Sequence, residues 1–182
     1  MNNAGGALGT ESVEASSTAD WRAMFEVNVL GLRSVTAALL PALRAGALEA
    51  GGASIVNLTS TAGLAVYPGG GGYNAAKFAA HAVTGVLRLE LAGEPIRVME
   101  VAPGLVHTEE FTLNRLRGDA TAAEQPYRDV TPLTAEQVAA VIVGALGQPA
   151  HVNQDLIVLR PVAQSSVFHT HRGPLFPGDA AR

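Results

Sequence analysis

A tyrosine and a lysine four positions apart, Tyr73 and Lys77, open a stretch of helical periodicity. That spacing puts both side chains on one helix face. An ammonium beside a phenol favours the phenolate and would lower its pKa from about 10 toward neutrality. Such a phenol can hand a proton to a carbonyl oxygen or take one from a hydroxyl. The pair alone is weak evidence, because Tyr-x-x-x-Lys spacings arise by chance on exposed helices. Ser60 narrows the reading. It stands thirteen residues before Tyr73, in Asn57-Leu58-Thr59-Ser60-Thr61-Ala62-Gly63, after a run that reads as a strand. Open α/β sheets place their ligands at the C-terminal ends of parallel strands. A hydroxyl there can hold a substrate oxygen; it can equally cap its own turn.

Three further pieces frame this set: Asn2-Asn3-Ala4-Gly5, Asn28 within Phe25-Glu26-Val27-Asn28-Val29, and Pro103-Gly104-Leu105-Val106-His107-Thr108. Each has a local reading. Asn28 lies in a largely apolar helix and could cross-link backbone. Pro-Gly ends strands generally. Thr108 could cap a helix opened by Glu109 and Glu110.

Taken in order, the five pieces resemble the short-chain dehydrogenase/reductase family, from Asn2 to about Arg172. The resemblance implies a catalytic set of Asn28, Ser60, Tyr73 and Lys77. Tyr73 would be the general acid in reduction and the base in oxidation, and Ser60 would orient the carbonyl. Lys77 would hold the nicotinamide ribose and lower the Tyr73 pKa; Asn28 would support a proton-carrying water. It implies a bound NADP, or NAD, contacted by Asn3, Ala4, Gly5, Tyr73, Lys77, Pro103, Gly104, Val106 and Thr108. The substrate would be a small hydroxyl or carbonyl compound touching Ser60 and Tyr73. Residues 103–111 and 115–119, with 148–153 and 160–165, further resemble the NADP-dependent 3-hydroxy acid (serine-type) dehydrogenases. A carboxylate-bearing substrate needs a cation in that loop. Arg115 or Arg117 could supply it, with Arg117 expected to touch the substrate; either could instead pair on the surface with Glu110 or Asp119.

The elements that must position these residues follow from pattern. A helix is expected from about Trp21 to Ala47, capped by Ser17, Thr18 or Asp20. Its apolar Phe25, Val29, Leu32, Val35, Leu39 and Leu43 would face the core, and Pro41 could kink it. Residues 53–58, 96–101 and 156–159 read as strands, and 73–91 and 134–146 as helices, the latter with Thr134 and Gln137 as a capping box. Residues 1–9 and 60–72 read as loops, and 105–133 as an irregular lid-like segment. Strand–helix alternation predicts an α/β fold, the C-terminal part of a Rossmann-type doubly wound parallel sheet. One domain is expected over 1–172, with a loose tail over 173–182.

Composition bounds the rest. With 48% hydrophobic and 15% charged residues the chain is globular, not disordered. A net charge of −4 with no basic run argues against nucleic acid or an anionic membrane as partner. There is no cysteine, which removes disulfides, thiolate metal sites and thiol nucleophiles and suits a cytoplasmic protein. The histidines lack metal-ligand spacing, so no metal is expected. Apolar stretches are broken short of spanning length, so no membrane span is expected. No Gly-rich turn precedes Asn2, so the chain is read as N-terminally truncated, from a start assigned inside the gene or as a shortened product. In the second case the alternative is an inactive fragment or an interaction protein that associates with full-length relatives. The family resemblance also implies a homo-oligomer, a tetramer, with Leu30, Ala37, Phe78 and Val86 among its contacts.

Overall fold

The structure, a computed structural model, describes residues 1–175. Of the tail expected over 173–182, residues 176–182 lie outside the described residues. In chain order the elements are α1 (Thr18–Phe25), a π-helical turn (Glu26–Leu30), α2 (Gly31–Ala50), β1 (Ala53–Leu58), α3 (Gly71–Glu90), β2 (Ile96–Pro103), α4 (Phe111–Arg115), α5 (Ala120–Glu124), α6 (Ala135–Leu146) and β3 (Leu156–Leu159), with 3₁₀ turns at Thr61–Gly63 and Gln125–Tyr127.

The strands form one parallel sheet in the order β1-β2-β3. Ala53 to Leu58 pair with Ile96 to Val101, and Glu100 to Pro103 with Leu156 to Leu159. Side chains alternate between faces along each strand. Ile55, Ile96 and Val98 pack with Ala47 of α2 and Leu87 of α3. Val56, Met99 and Val101 pack with Val138, Ile142 and Ala145 of α6. With helices on both faces, β2 is buried in almost every position, as a central parallel strand must be. The expected α/β parallel architecture is therefore present. Asn2 extends the sheet at the β1 edge: its N–H donates to the Val56 carbonyl at 2.8 Å, and its carbonyl accepts from Leu58 at 2.9 Å.

The first helix corrects the sequence reading in three ways. It begins at Thr18, behind Ser17, whose hydroxyl accepts from the Ala19 N–H. It runs continuously to Ala50 through the π turn, so it is 33 residues long and long and apolar enough to cross a membrane. The expectation that every apolar stretch falls short of that length does not hold, because Pro41 and the glycines are accommodated inside the helix. A single such helix is weak evidence for a span, and here its inner face packs on α3 and the sheet. Third, Phe25, Val35 and Leu39 are exposed and not core, while Met24, Asn28, Val29, Leu32 and Thr36 are buried. The π turn inserts an extra residue and rotates the stripe. The helix is apolar on both faces, so spacing alone could not show which one turns inward.

The loop between β1 and α3 is held close to the helix by Gly63. A Cβ there would stand 2.6 Å from the Lys77 carbonyl oxygen, a backbone atom with no room to retreat. Asn74 adds a second tie, its amide donating to the Ala62 and Ala65 carbonyls at 2.7 and 3.1 Å. These contacts set the separation between Ser60 and the helix carrying Tyr73 and Lys77. The capping box of α6 is present, with Thr134 accepting from Gln137 N–H and Gln137 accepting from Thr134 N–H.

Candidate active site

The C-terminal ends of β1 and β2 and the N-terminal end of α3 open on one cleft of about 730 Å³. Ser60, Tyr73 and Lys77 line it, as do Asn3, Gly5, Pro103, Gly104, Val106 and Thr108. Ala4 is exposed and lies outside the lining. The segment after β2 is fixed by three backbone ties. Gly104 N–H donates to Leu159, Leu105 N–H to the Gln164 side-chain oxygen, and His107 N–H to Leu133.

Ser60 does both things its position allowed. Its hydroxyl accepts from Ala62 N–H at 3.1 Å, capping the turn, and reaches the Pro103 carbonyl at 3.4 Å while facing the cleft. Asn28 also cross-links backbone, donating to the Gly6 and Met24 carbonyls at 2.9 and 2.8 Å. That leaves its side-chain oxygen buried without a protein partner among the described residues. This oxygen and the Lys77 ammonium converge on one point: a Cβ at Gly5 would lie 2.6 Å from Asn28 Oδ1 and 3.2 Å from Lys77 Nζ. A buried acceptor and a buried donor facing one small gap can hold a polar group between them.

The electrostatics depart from the simple two-residue expectation. Tyr73 is 7% exposed, and burial pushes its phenol up to about 12. A hydrogen bond with Ser60 and the positive charge of Arg115 oppose this without overcoming it. Lys77 is 6% exposed, and burial pulls its ammonium down to about 8, against the attraction of Glu100. Desolvation therefore outweighs the lysine–phenol attraction that spacing suggested. The cause is distance and burial together, since Lys77 Nζ is 5.8 Å from the Tyr73 ring centre and donates to the Leu58 carbonyl.

Arg117 is not part of the cleft. Its backbone is left-handed (φ 55°), and its guanidinium pairs with Asp20 at 2.7 Å on the surface. Tertiary folding brings α1 against this loop, so neither Glu110 nor Asp119 is its partner. Arg115 lines the cleft instead. Its guanidinium bonds the Gly9 and Gly69 carbonyls and the Tyr67 hydroxyl, at 3.2, 3.1 and 3.0 Å, and lies 5.6 Å from the centres of both the Tyr67 and Tyr73 rings. Thr108 caps no helix: α4 begins after Glu110, with no side-chain cap. Sequence reasoning missed Glu100, which lies fully buried against Thr59 and His81, although an acid in a buried strand was a readable signal. It also missed Asn74, for which the sequence carries no distinguishing pattern.

The comparisons bear on family and fold. The family model described as short chain dehydrogenase matches residues 1–116. The chain is 48% identical over 160 residues to an uncharacterized oxidoreductase of Mycobacterium tuberculosis, covering 88% of this chain and 62% of the relative. It is 45% identical over 166 residues to sulfoacetaldehyde reductase 2 of Chromohalobacter salexigens, covering 91% and 64%. It is 39% identical over 165 residues to the NADP-dependent 3-hydroxy acid dehydrogenase YdfG of Escherichia coli, covering 91% and 65%. Among solved structures, the closed form of serine dehydrogenase complexed with NADP⁺ superposes with a TM-score of 0.85 at 38% identity, over 94% of this chain and 68% of that one. The chain thus spans 62–65% of the length of these curated relatives. By matched sequence and fold, the chain belongs to the short-chain dehydrogenase family.

Proposed function

We propose that this chain carries the catalytic part of an NADP-dependent oxidoreductase that interconverts a hydroxyl and a carbonyl on a short anionic substrate, such as a 3-hydroxy acid. The observation that carries the reading is the meeting of Ser60, Tyr73 and Lys77 on one cleft with Arg115 as the adjacent cation. The names of the relatives point the same way: NADP and 3-hydroxy acid for one, sulfoacetaldehyde for another.

The residues present fit the nicotinamide and ribose end of such a cofactor. The missing Cβ at Gly5 leaves Asn28 Oδ1 and Lys77 Nζ facing the same gap, and Val106 and Thr108 line the same cleft. Lys77, Val106 and Thr108 would hold that end, and bound NADP would supply or accept the hydride. Ser60 orients the substrate oxygen, and Tyr73 gives it a proton in reduction or removes one in oxidation. Because burial keeps the phenol protonated, Tyr73 is held ready as an acid. As a base it needs added positive charge, and the attraction of Arg115 already acts in that direction. Arg115 would also meet the substrate's anionic group.

A homo-oligomer belongs to the same proposal. Leu30, Phe78 and Val86 are 43%, 39% and 51% exposed, and Ala37 is exposed beside them. A subunit contact over these side chains of the first helix and α3 would take apolar surface out of water.

The test is turnover by the chain joined in frame to the N-terminal segment of the Escherichia coli relative. NADP-dependent oxidation of a short 3-hydroxy acid, followed by nicotinamide absorbance, is the expected result. No turnover of any hydroxy acid or semialdehyde by a folded joined enzyme overturns the reading.

A further inference from the structure

Gly104 does not take the left-handed backbone that favours glycine. What requires a glycine there is space, because a Cβ would stand 2.1 Å from Gln164 Oε1 and 2.9 Å from Arg160 Cγ. The Gln164 oxygen uses that space to accept from the Leu105 N–H at 2.8 Å. A backbone amide removed from water needs such a partner, so the groups of this turn can be followed one by one. Gly104 N–H donates to the Leu159 carbonyl at 2.8 Å, and His107 N–H to the Leu133 carbonyl at 2.9 Å. The Leu105 carbonyl accepts from Leu133 N–H at 3.0 Å, and the Val106 carbonyl from the Tyr127 hydroxyl at 3.2 Å. Of the four amides from Gly104 to His107, that of Val106 alone donates to no protein group among the described residues, and Val106 lines the cleft. Leu105 is the only one of the four whose amide is held by a side chain. That side chain is itself fixed. Gln164 N–H donates to the Pro161 carbonyl at 2.9 Å, and Gln164 pairs with Thr170 across an antiparallel bridge. Farther along, His171 N–H donates to Ala163, Gly173 N–H to Asp129 and the Arg172 guanidinium to the Arg128 carbonyl. The segment after β3 is thus tied both to the turn after β2 and to the lid-like segment.

We propose that Gln164 is a positioning residue for the cofactor: by holding Leu105 in the space left by Gly104, it keeps the Val106 N–H available to the nicotinamide end of NADP. Gln164 and Gly104 are two halves of one fit, joined only by the fold. Without the Gln164 oxygen the Leu105 N–H loses its partner, and the turn must shift to find water. That shift carries Val106 with it, and also Pro103, whose carbonyl lies 3.4 Å from the Ser60 hydroxyl. The consequence for NADP rests on the function proposed above, whereas the hold on Leu105 does not.

The test begins with hydrogen exchange at the Leu105 amide, followed by NMR in the full 182-residue chain. Gln164→Glu keeps an acceptor for this N–H and should leave its exchange within about twofold of the parent. Gln164→Ala should speed exchange about tenfold, as expected for one ordinary hydrogen bond. Gly104→Ala should do the same, because its Cβ displaces the amide, and should add at most about twofold once Gln164 is already Ala. In the joined enzyme, calorimetry should show NADP bound about tenfold more weakly by Gln164→Ala, with Gln164→Glu within about threefold of the parent. A merely structural Gln164 predicts a lower denaturant midpoint with NADP affinity unmoved in the folded protein. That result, or Leu105 exchange unchanged by Gln164→Ala, overturns the proposal. A joined enzyme that shows these NADP shifts but oxidises no hydroxy acid defeats the proposed function and leaves this inference standing.

Discussion

The Lys77 ammonium lies 5.8 Å from the centre of the Tyr73 ring and donates to the Leu58 carbonyl at 3.4 Å, so lysine and phenol are neighbours without being partners. Each is governed more by its own burial than by the other, and the two shifts run in opposite directions, up to about 12 for Tyr73 and down to about 8 for Lys77.

That relationship sets the pH dependence of stability. Lys77 loses its proton at about 8 in the native state against an ordinary 10.5. Between those values the unfolded chain binds more protons, so this residue makes stability rise with pH across the window. Below about 8 its buried charge is a full cost. Lys77→Met should therefore be more stable than the parent at neutral pH, with the gap closing by pH 10.5. Tyr73 acts in the opposite sense: between 10 and about 12 the native state keeps a proton the unfolded chain releases, so stability falls there. Paired urea melts across pH check both slopes; a constant gap between Lys77→Met and parent would show that Lys77 is not desolvated as described.

Tyr73→Phe in the joined enzyme should lower kcat by about 10²–10⁴-fold while cofactor affinity stays near that of the parent. The ring and its contact with Phe111 remain, and only the hydroxyl is lost. Retention of more than a tenth of the rate with an unchanged pH profile would move the acid/base role to another group.

The two loop arginines should separate cleanly. Arg115→Lys keeps charge but loses the fork that binds Gly9, Gly69 and Tyr67, and should raise KM for acidic substrates roughly tenfold, more than for neutral alcohols. Arg117→Ala breaks only an exposed pair with Asp20 and should change KM little. Steady-state kinetics on a hydroxy acid and a neutral alcohol decide; an equal effect of Arg115→Lys on both would remove the carboxylate contact.

Gly63→Ala should cost about 1–3 kcal/mol, because its Cβ meets a helix carbonyl that cannot yield without moving α3. The same movement separates Ser60 from Tyr73, so kcat should fall even in the folded fraction. Denaturant melts beside kcat measure both; an unchanged midpoint would mean the loop has slack that this contact denies.

The sequence by itself determined the strands, their parallel sheet, and the spacing of Ser60, Tyr73 and Lys77, because these rest on local rules. Short apolar runs make buried strands, and a four-residue step aligns Tyr73 with Lys77 whatever surrounds them. The capping box at Thr134 and Gln137 was legible for the same reason. Tertiary structure decided what depends on residues far apart in the chain. The inward face of the first helix turned on a π turn within a segment apolar on both sides. Which arginine lines the cleft turned on Gly9, Tyr67 and Gly69 reaching the Arg115 guanidinium and Asp20 reaching that of Arg117. The pKa of Tyr73 turned on how completely the fold removes it from water. Charge and spacing can be read along a chain, but desolvation belongs to the packed molecule, and here it is the larger effect.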